Sequence, residues 1–371
     1  MINYDKNIAC ELCKKSLRPL RLEDKTDRRE HKELAKNAEK NNLMKIKLTT
    51  ILLLILLFTV KSNAQLFPTL GGQRAGISTL QFLKIGVGGR ATAMGDAFIA
   101  IADDASALYW NPAGLVFAKQ NEVMFSHNSW VADISQEFAG AFFKVSESDV
   151  IGLSLTSLHM ENMEVTDEFN PSGNGQFFGF GDVAFTLTYS RKMTEQFSIG
   201  ASIRYVEETL DVLKMRGVMI DIGTMYWTGL GTTRFAVAIT NFGNELAPDG
   251  EVTLWGGRTE TEWQSFSPPT MFRIGFAFEP WQNALNRVTT SIQLNHPNDN
   301  SENVSIGGEY SYANIVALRA GYKINVDEQG FTAGAGVNLP LGIGNVSVDY
   351  GYSAFSVLGS THRFSIILGL Y

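Results

Sequence analysis

The feature that most limits what this chain can fold into is a strict two-residue alternation. It runs through fourteen segments of about ten residues each, from about residue 120 to the end. Val183, Phe185, Leu187 and Tyr189 share one parity, and Ala184, Thr186, Thr188 and Ser190 the other. Phe197, Ile199, Ala201, Ile203 and Tyr205 alternate in the same way with Ser198, Gly200, Ser202 and Arg204. The last segment sets Phe364, Ile366, Leu368 and Leu370 against Arg363, Ser365, Ile367 and Gly369. A period of two sends successive side chains to opposite faces of a strand, so each segment reads as a strand with one apolar face. The segments are 121–128, 136–145, 149–160, 181–192, 196–209, 214–227, 232–242, 270–279, 287–295, 302–311, 315–324, 330–338, 345–354 and 362–371.

Such alternation fits either a large β-sandwich in water or a barrel in lipid. An even number of ten-residue strands is the pattern of a transmembrane barrel. In lipid every backbone group must be paired, so a sheet there has to close on itself. Residues 44–64 point the same way, because they read as a secretory signal peptide. Lys45 and Lys47 form the positive start, Leu48 to Val60 the apolar stretch, and Ser62-Asn63-Ala64 the cleavage site. An uncleaved anchor helix is the alternative, but 13 apolar residues fall short of the ~20 that cross a bilayer. The charged stretch 1–43 ahead of the signal is expected to come from a misassigned start codon, with translation beginning at Met44. Its Cys10 and Cys13 have no second pair and carry no metal or disulfide reading.

Charge excludes one class of partner. Residues 65–371 hold 17 basic and 30 acidic residues, a net −13, which argues against nucleic-acid binding. On the strands, Arg204, Asp221, Arg273, Glu309, Arg319, Asp349 and Arg363 all take the parity opposite the apolar residues. A charge facing lipid near mid-membrane costs ~2–4 kcal/mol, so these seven are expected to point into the lumen. There they form either a network among themselves or a contact set for whatever fills the pore. Outer-membrane barrels have long outer loops and short inner turns. The two longest connections, 161–180 and 243–269, follow the third and seventh strands and so share one end. The loop 161–180 has Glu161, Glu164, Asp167 and Glu168 and no Lys or Arg. With Trp255 and Trp263 of the second loop, it reads either as a protein-docking surface or as ordinary solvated loop.

Residues 65–118 do not alternate. Gly86-Val87-Gly88-Gly89-Arg90-Ala91 fits G-x-G-x-x-A, but no strand–helix–strand unit surrounds it, which excludes a dinucleotide site. Asp103-Asp104 is expected to cap a short helix, Ala105 to Trp110, stopped by Asn111-Pro112. A compact Ala/Gly-rich element of this kind suits a barrel interior, and fourteen strands enclose a lumen too wide for wall side chains to fill.

The block from Gly88-Gly89-Arg90-Ala91-Thr92-Ala93-Met94-Gly95-Asp96 through Asp103-Asp104 to Trp110-Asn111-Pro112-Ala113-Gly114-Leu115 resembles the PorV/PorQ family. That family is related to the FadL long-chain fatty-acid transporters. The resemblance continues through Asp221-Ile222-Gly223, Asn241-Phe242-Gly243, Gly308-Glu309-Tyr310, Leu318-Arg319-Ala320-Gly321, Asp349-Tyr350 and Thr361-His362-Arg363. It implies an all-β fold, a 14-stranded antiparallel transmembrane β-barrel in the outer membrane. Residues 65–118 would then be an N-terminal hatch marked by Asp103, Asp104, Trp110, Asn111, Pro112 and Gly114, and 119–371 the barrel. It also implies a non-enzymatic role in type IX secretion, with outer-membrane lipid, the translocon and cargo C-terminal domains as partners. A FadL-like channel for hydrophobic solutes is the alternative; it would need an apolar pocket, and Phe98, Ile99 and Ile101 are either its lining or the hatch's own packing. No catalytic, cofactor or metal site is expected. His127 and His159 lie near Ser126 and Ser157, but strand parity separates neighbours by face; His362 sits at a strand start and His296 beside Pro297 in a loop, and none has a triad partner in the sequence.

Overall fold

The computed structural model describes residues 76–370 apart from 167, 254–256 and 343. The proposed leader 1–43, the signal peptide 44–64 and the first part of the 65–118 segment lie outside the described residues. Fourteen strands form one closed antiparallel barrel in chain order. They are β1 (Asn121–Ser129), β2 (Ser135–Lys144), β3 (Asp149–His159), β4 (Phe180–Lys192), β5 (Phe197–Leu210), β6 (Leu213–Trp227) and β7 (Arg234–Gly243). The second half is β8 (Met271–Gln282), β9 (Asn286–Pro297), β10 (Asn303–Tyr312), β11 (Val316–Ile324), β12 (Gln329–Leu341), β13 (Gly344–Phe355) and β14 (Gly359–Leu370). The barrel closes through β1 and β14, which pair from Asn121↔Leu370 to Ser129↔His362.

All fourteen alternating segments are strands, and their parity is the one the sequence predicts. In β4, Val183, Phe185, Leu187 and Tyr189 are exposed on the outside, while Asp182, Ala184, Thr186, Thr188 and Ser190 are buried on the inside. The outward faces carry large exposed apolar side chains all round the barrel. Among the described residues no helix is long and apolar enough to cross a membrane.

Three register shifts interrupt the ladder, one of them between Gln329 and Thr332 of β12; the other two adjoin identifiable residues. One lies between Phe278 and Trp281 of β8, around Pro280, which has no backbone N–H to give to a ladder. The other lies between Ile220 and Ile222 of β6, opposite Asn241 of β7. There Asn241 takes φ +59°, and its backbone N–H donates to Asp221 Oδ1 at 2.6 Å. The inward carboxylate thus satisfies a donor that the bulge removes from the ladder.

The connections give the barrel two unlike mouths. Those after odd-numbered strands open at one end and include 160–179 and 244–270; those after even-numbered strands open at the other and run from two to six residues. Each long loop holds one short two-stranded ribbon, Met163–Glu164 with Phe177–Phe178 and Val252–Thr253 with Thr259–Glu260.

Residues 76–118 enter at the odd mouth and leave at the even one. Ser78 bridges to Ser267 of the 244–270 loop, and Lys84 meets Asp299 in the short connection between β9 and β10. The segment then forms a turn at Gln81–Lys84, α1 (Gly89–Ala93), α2 (Ala107–Trp110) and a 3-10 turn at Pro112–Phe117, and joins β1 at the even mouth. The expected helix 105–110 is shorter than predicted. It begins at Ala107 because Asp104 turns its carboxylate back onto the Ser106 backbone N–H at 2.9 Å and holds that turn outside the helix.

Candidate functional site

The lumen is built by glycines as much as by charges. At each of nine inward glycines from β2 to β13, an added Cβ would run into the 76–118 segment. A Cβ on Gly321 would lie 2.2 Å from Gly95 N, and one on Gly200 2.4 Å from the Pro112 carbonyl carbon. The same holds for Gly275 against Ile99 and for Gly140 and Gly152 against Leu108. Any side chain at these positions would push the segment off the wall, so the wall is shaped to receive a backbone. Inward polar groups then hold that backbone. Gln293 Oε1 accepts from Phe98 N and Ile99 N at 2.9 and 3.0 Å, and Ser365 Oγ accepts from Gly89 N at 3.0 Å. Ser198 and Thr332 donate to the carbonyls of Ala113 and Ala93.

Of the six marker residues of the segment, all but the exposed Asp103 are buried. Asn111 is fully buried; its Nδ2 donates to Ile99 O at 2.9 Å and to Thr224 O of β6 at 3.2 Å, and its Oδ1 accepts from Ala113 N. Pro112 starts the 3-10 turn, where a missing N–H costs nothing. A Cβ on Gly114 would lie 1.8 Å from Ala102 O, so only glycine lets the two passes of the segment touch. Trp110 donates to Val87 O at 2.9 Å and stacks edge-on with Tyr109. Asp103 and Asp104 both face Arg90, at 2.8 and 2.9 Å.

Arg90 is the residue that parity reasoning does not reach, because it lies outside the strands. Its Nε meets Glu309 at 3.1 Å; Glu309 meets Arg319 at 2.6 Å, and Arg319 meets Asp349 at 2.6 Å. A chain of alternating charge therefore runs from the segment to three strands of the wall. All seven predicted inward charges point into the lumen and are 9% exposed or less. Structure divides them into two sets. Arg204 and Asp221 pair at 2.7 Å, and Glu309, Arg319 and Asp349 form the chain just described. Arg273 packs over the Trp110 ring at 5.5 Å, and Arg363 donates to Thr92, so these two meet the segment directly. Further inward charges were missed. Arg234, paired with Glu279 at 2.9 Å, donates to Ala100 O, and Lys323 meets Asp96. Both obey the same parity as their neighbours, so the sequence did carry that signal.

The even mouth opens on a cavity of about 380 Å³, lined by Arg90, Glu122, Glu309, Arg319 and Asp349 among others. At the odd mouth Leu80, Phe82 and Leu83 pack on inward Leu158, Val206 and Met219. Asp299 ties this corner down, accepting from Ser78, Gln81 and Lys84. Burial pushes the Asp299 carboxyl up, but the Ser78, Gln81 and Lys84 donors outweigh it and hold the group below the usual carboxylate range. Phe98, Ile99 and Ile101 are at most 1% exposed and belong to one buried apolar cluster with wall residues such as Phe138, Ala236 and Ala277. Trp263 donates to Gly250 O at 3.0 Å inside its own loop, and Trp255 lies outside the described residues.

By sequence, the seven connections of the odd mouth hold 15 acidic residues and one basic residue, Arg258. The six of the even mouth hold two acidic residues and no basic one. The net charge of the exported body is therefore concentrated at one rim.

The sequence profile of the type IX secretion system protein PorV matches residues 71–297. A search of curated proteins gave no match. Among solved structures, the toluene transporter TbuX of Ralstonia pickettii is similar with a TM-score of 0.53 at 14% identity, over 77% of this chain and 99% of its own. The CymD monoaromatic hydrocarbon channel gives 0.55 at 12%, over 77% and 98%. A FadL homologue from Pseudomonas aeruginosa gives 0.51 at 12%, over 82% and 99%. At such identities the likeness establishes a shared barrel fold.

Proposed function

This chain belongs to the PorV family of type IX secretion system proteins and is a β-barrel of the outer membrane, and on that premise we propose that it works as a closed docking barrel, with no enzymatic step, for proteins leaving the cell. Residues 65–118 act as its hatch, and the odd mouth faces the exterior, where long loops belong. Cargo C-terminal domains and the translocon meet the barrel at that rim. The observation that carries this reading is the charge partition between the mouths, 15 acidic and one basic residue against two and none. A rim of one sign steers partners of the opposite sign and rejects others.

The filled lumen supports the same reading. A hydrophobic solute crossing from rim to periplasm would have to displace a segment seated on nine glycines and then pass Arg90, Glu309, Arg319 and Asp349. The solved neighbours TbuX and CymD are a toluene transporter and a monoaromatic hydrocarbon channel, which keeps solute passage as the reading to beat. Deleting the gene and restoring it with Glu161, Glu164 and Glu168 changed to Lys separates the two. Docking predicts that deletion and the triple variant both block delivery of secreted proteins to the surface while hydrocarbon and fatty-acid uptake stays normal. Normal delivery with reduced uptake in the deletion strain would overturn it.

A further inference from the structure

The start of the segment, at the odd mouth, rests on a row of the wall that pairs like with like. Across β3, β4, β5 and β6 the row runs Leu158, Asp182, Glu208, Met215, and the next inward row sets Ala184 beside Val206. Asp182 and Glu208 stand directly opposite each other on neighbouring strands and share the inward parity, which brings their Cβ atoms within about 4.5–5.5 Å. Asp182 is 1% exposed, and its Oδ1 has no hydrogen-bond partner among the described residues. Glu208 Oε2 accepts from the Leu80 backbone N–H at 3.1 Å, so the pair holds the segment.

Asp221, Glu309 and Asp349 each face a guanidinium, but among the described residues Asp182 and Glu208 face none. β3 contributes Leu158, while His159 turns outward; β6 contributes Met215, while Lys214 and Arg216 turn outward onto Glu207. Deeper in the lumen Arg204 is bound to Asp221. The segment contributes Leu80, Phe82 and Leu83, and its Lys84 is bound to Asp299. The 244–270 loop contributes Leu246. Two carboxylates side by side in an apolar cluster cannot both stay ionised, so a cation or a proton must lie between them. A calcium ion takes about six to eight oxygen ligands, whereas this cluster offers mainly Leu80, Leu158, Val206 and Met219. A proton needs only the two facing oxygens.

We propose that Asp182 and Glu208 hold one proton between them, and that this shared proton latches the start of the segment at the odd mouth. The latch rests on the seat of the segment and not on the docking role. Lifting residues 78–84 lets water reach both carboxyls, which then ionise at the ordinary carboxylate pH. Lifting therefore releases one proton and becomes easier as the pH rises, by up to about tenfold per pH unit, until the seated pair itself ionises. Asp299 has the opposite sign, since it holds the same residues only while ionised. The start of the segment is thus held at two points that fail at opposite ends of the pH scale.

The test compares the wild-type barrel with Asp182→Asn and Glu208→Gln, both nearly isosteric, with folding checked by heat-dependent gel mobility. Infrared difference spectra at neutral pH should show the carbonyl stretch of one protonated carboxyl in the wild type that both variants lack. Protease cleavage near residues 78–84, taken as the ratio of wild type to Asp182→Asn at each pH, should rise from about pH 5 upward by as much as about tenfold per unit. No difference band between the wild type and either variant overturns the proposal, and so does a band that survives in Glu208→Gln, which would put the proton on Asp182 alone. A cleavage ratio that does not change with pH overturns the latch. A wild-type ratio that shifts on adding calcium or a chelator would identify a metal in place of the proton and overturn it as well.

Discussion

The wall of this barrel and the segment inside it follow different rules. Each wall strand carries its own instruction, since alternation alone decides which side chain meets lipid and which meets the lumen. The segment 76–118 has no such period. Its helices, five and four residues long, are too short to be stable by themselves, and its shape is set by what it touches. Substitutions should therefore act in opposite places. Outward positions of the wall, where lipid replaces lost contacts, should tolerate change. Inward glycines and charges, which have only the segment as partner, should not.

The largest effect is expected at Glu309, which meets both Arg90 and Arg319. Glu309→Gln removes the carboxylate that Arg90 and Arg319 share, leaving Arg90 to Asp103 and Asp104 and Arg319 to Asp349, and breaking a buried pair in this way costs up to about 3–5 kcal/mol. Urea unfolding followed by gel mobility measures it, and a loss below about 1 kcal/mol would mean that the segment is not anchored through this chain of charges.

Asp299→Asn comes next. The carboxylate accepts from Ser78, Gln81 and Lys84; the amide oxygen of Asn still accepts, so what is lost is the charge, about 1.5–3 kcal/mol in all. Because its folded pKa lies below the unfolded value, this stabilisation is complete above the ordinary carboxylate range and disappears as the pH falls through the folded value. Protease cleavage near residues 78–84 should thus be faster in the variant than in the wild type at neutral pH, and equal in both in strong acid.

Gly321→Ala tests the seat itself. Its Cβ would lie 2.2 Å from Gly95 N, and overpacking of this kind costs about 1–3 kcal/mol. The smallest effect is expected at Leu153→Ala on the outer face of β3, within about 0.5 kcal/mol. If Leu153→Ala proves as costly as Gly321→Ala, the distinction between wall and segment fails.

That distinction also explains what the sequence could reveal. Fourteen strands, their parity and the seven inward charges were legible because each depends on neighbours two residues away. Strand ends were off by as much as three residues, for example at β14, which starts at Gly359 and not at 362, since turn geometry there overrides the apolar pattern. Arg90 was not legible, because its partner Glu309 is 219 residues away and no local period marks it. The glycine seats were visible only as a composition bias of the inward face; which glycine meets which residue is a property of the closed barrel. Asp103 and Asp104 were read as a helix cap, whereas their carboxylates converge on Arg90. The local rule named a plausible short-range partner, and a long-range cation took its place.

The central claim is that the barrel is closed in lipid with residues 76–118 seated inside it. Cysteines at Ser78 and Ser267 test it most directly, because the two residues form a β-bridge between the segment and the 244–270 loop, within the reach of a disulfide. With Cys10 and Cys13 replaced by serine, mild oxidation of outer membranes should link the two residues in nearly every molecule. The linked protein should keep its heat-dependent mobility, and mass spectrometry should find the peptide pair 78–267. Free thiols at both positions that react with a water-soluble maleimide in intact membranes, with no linked peptide, would contradict the account.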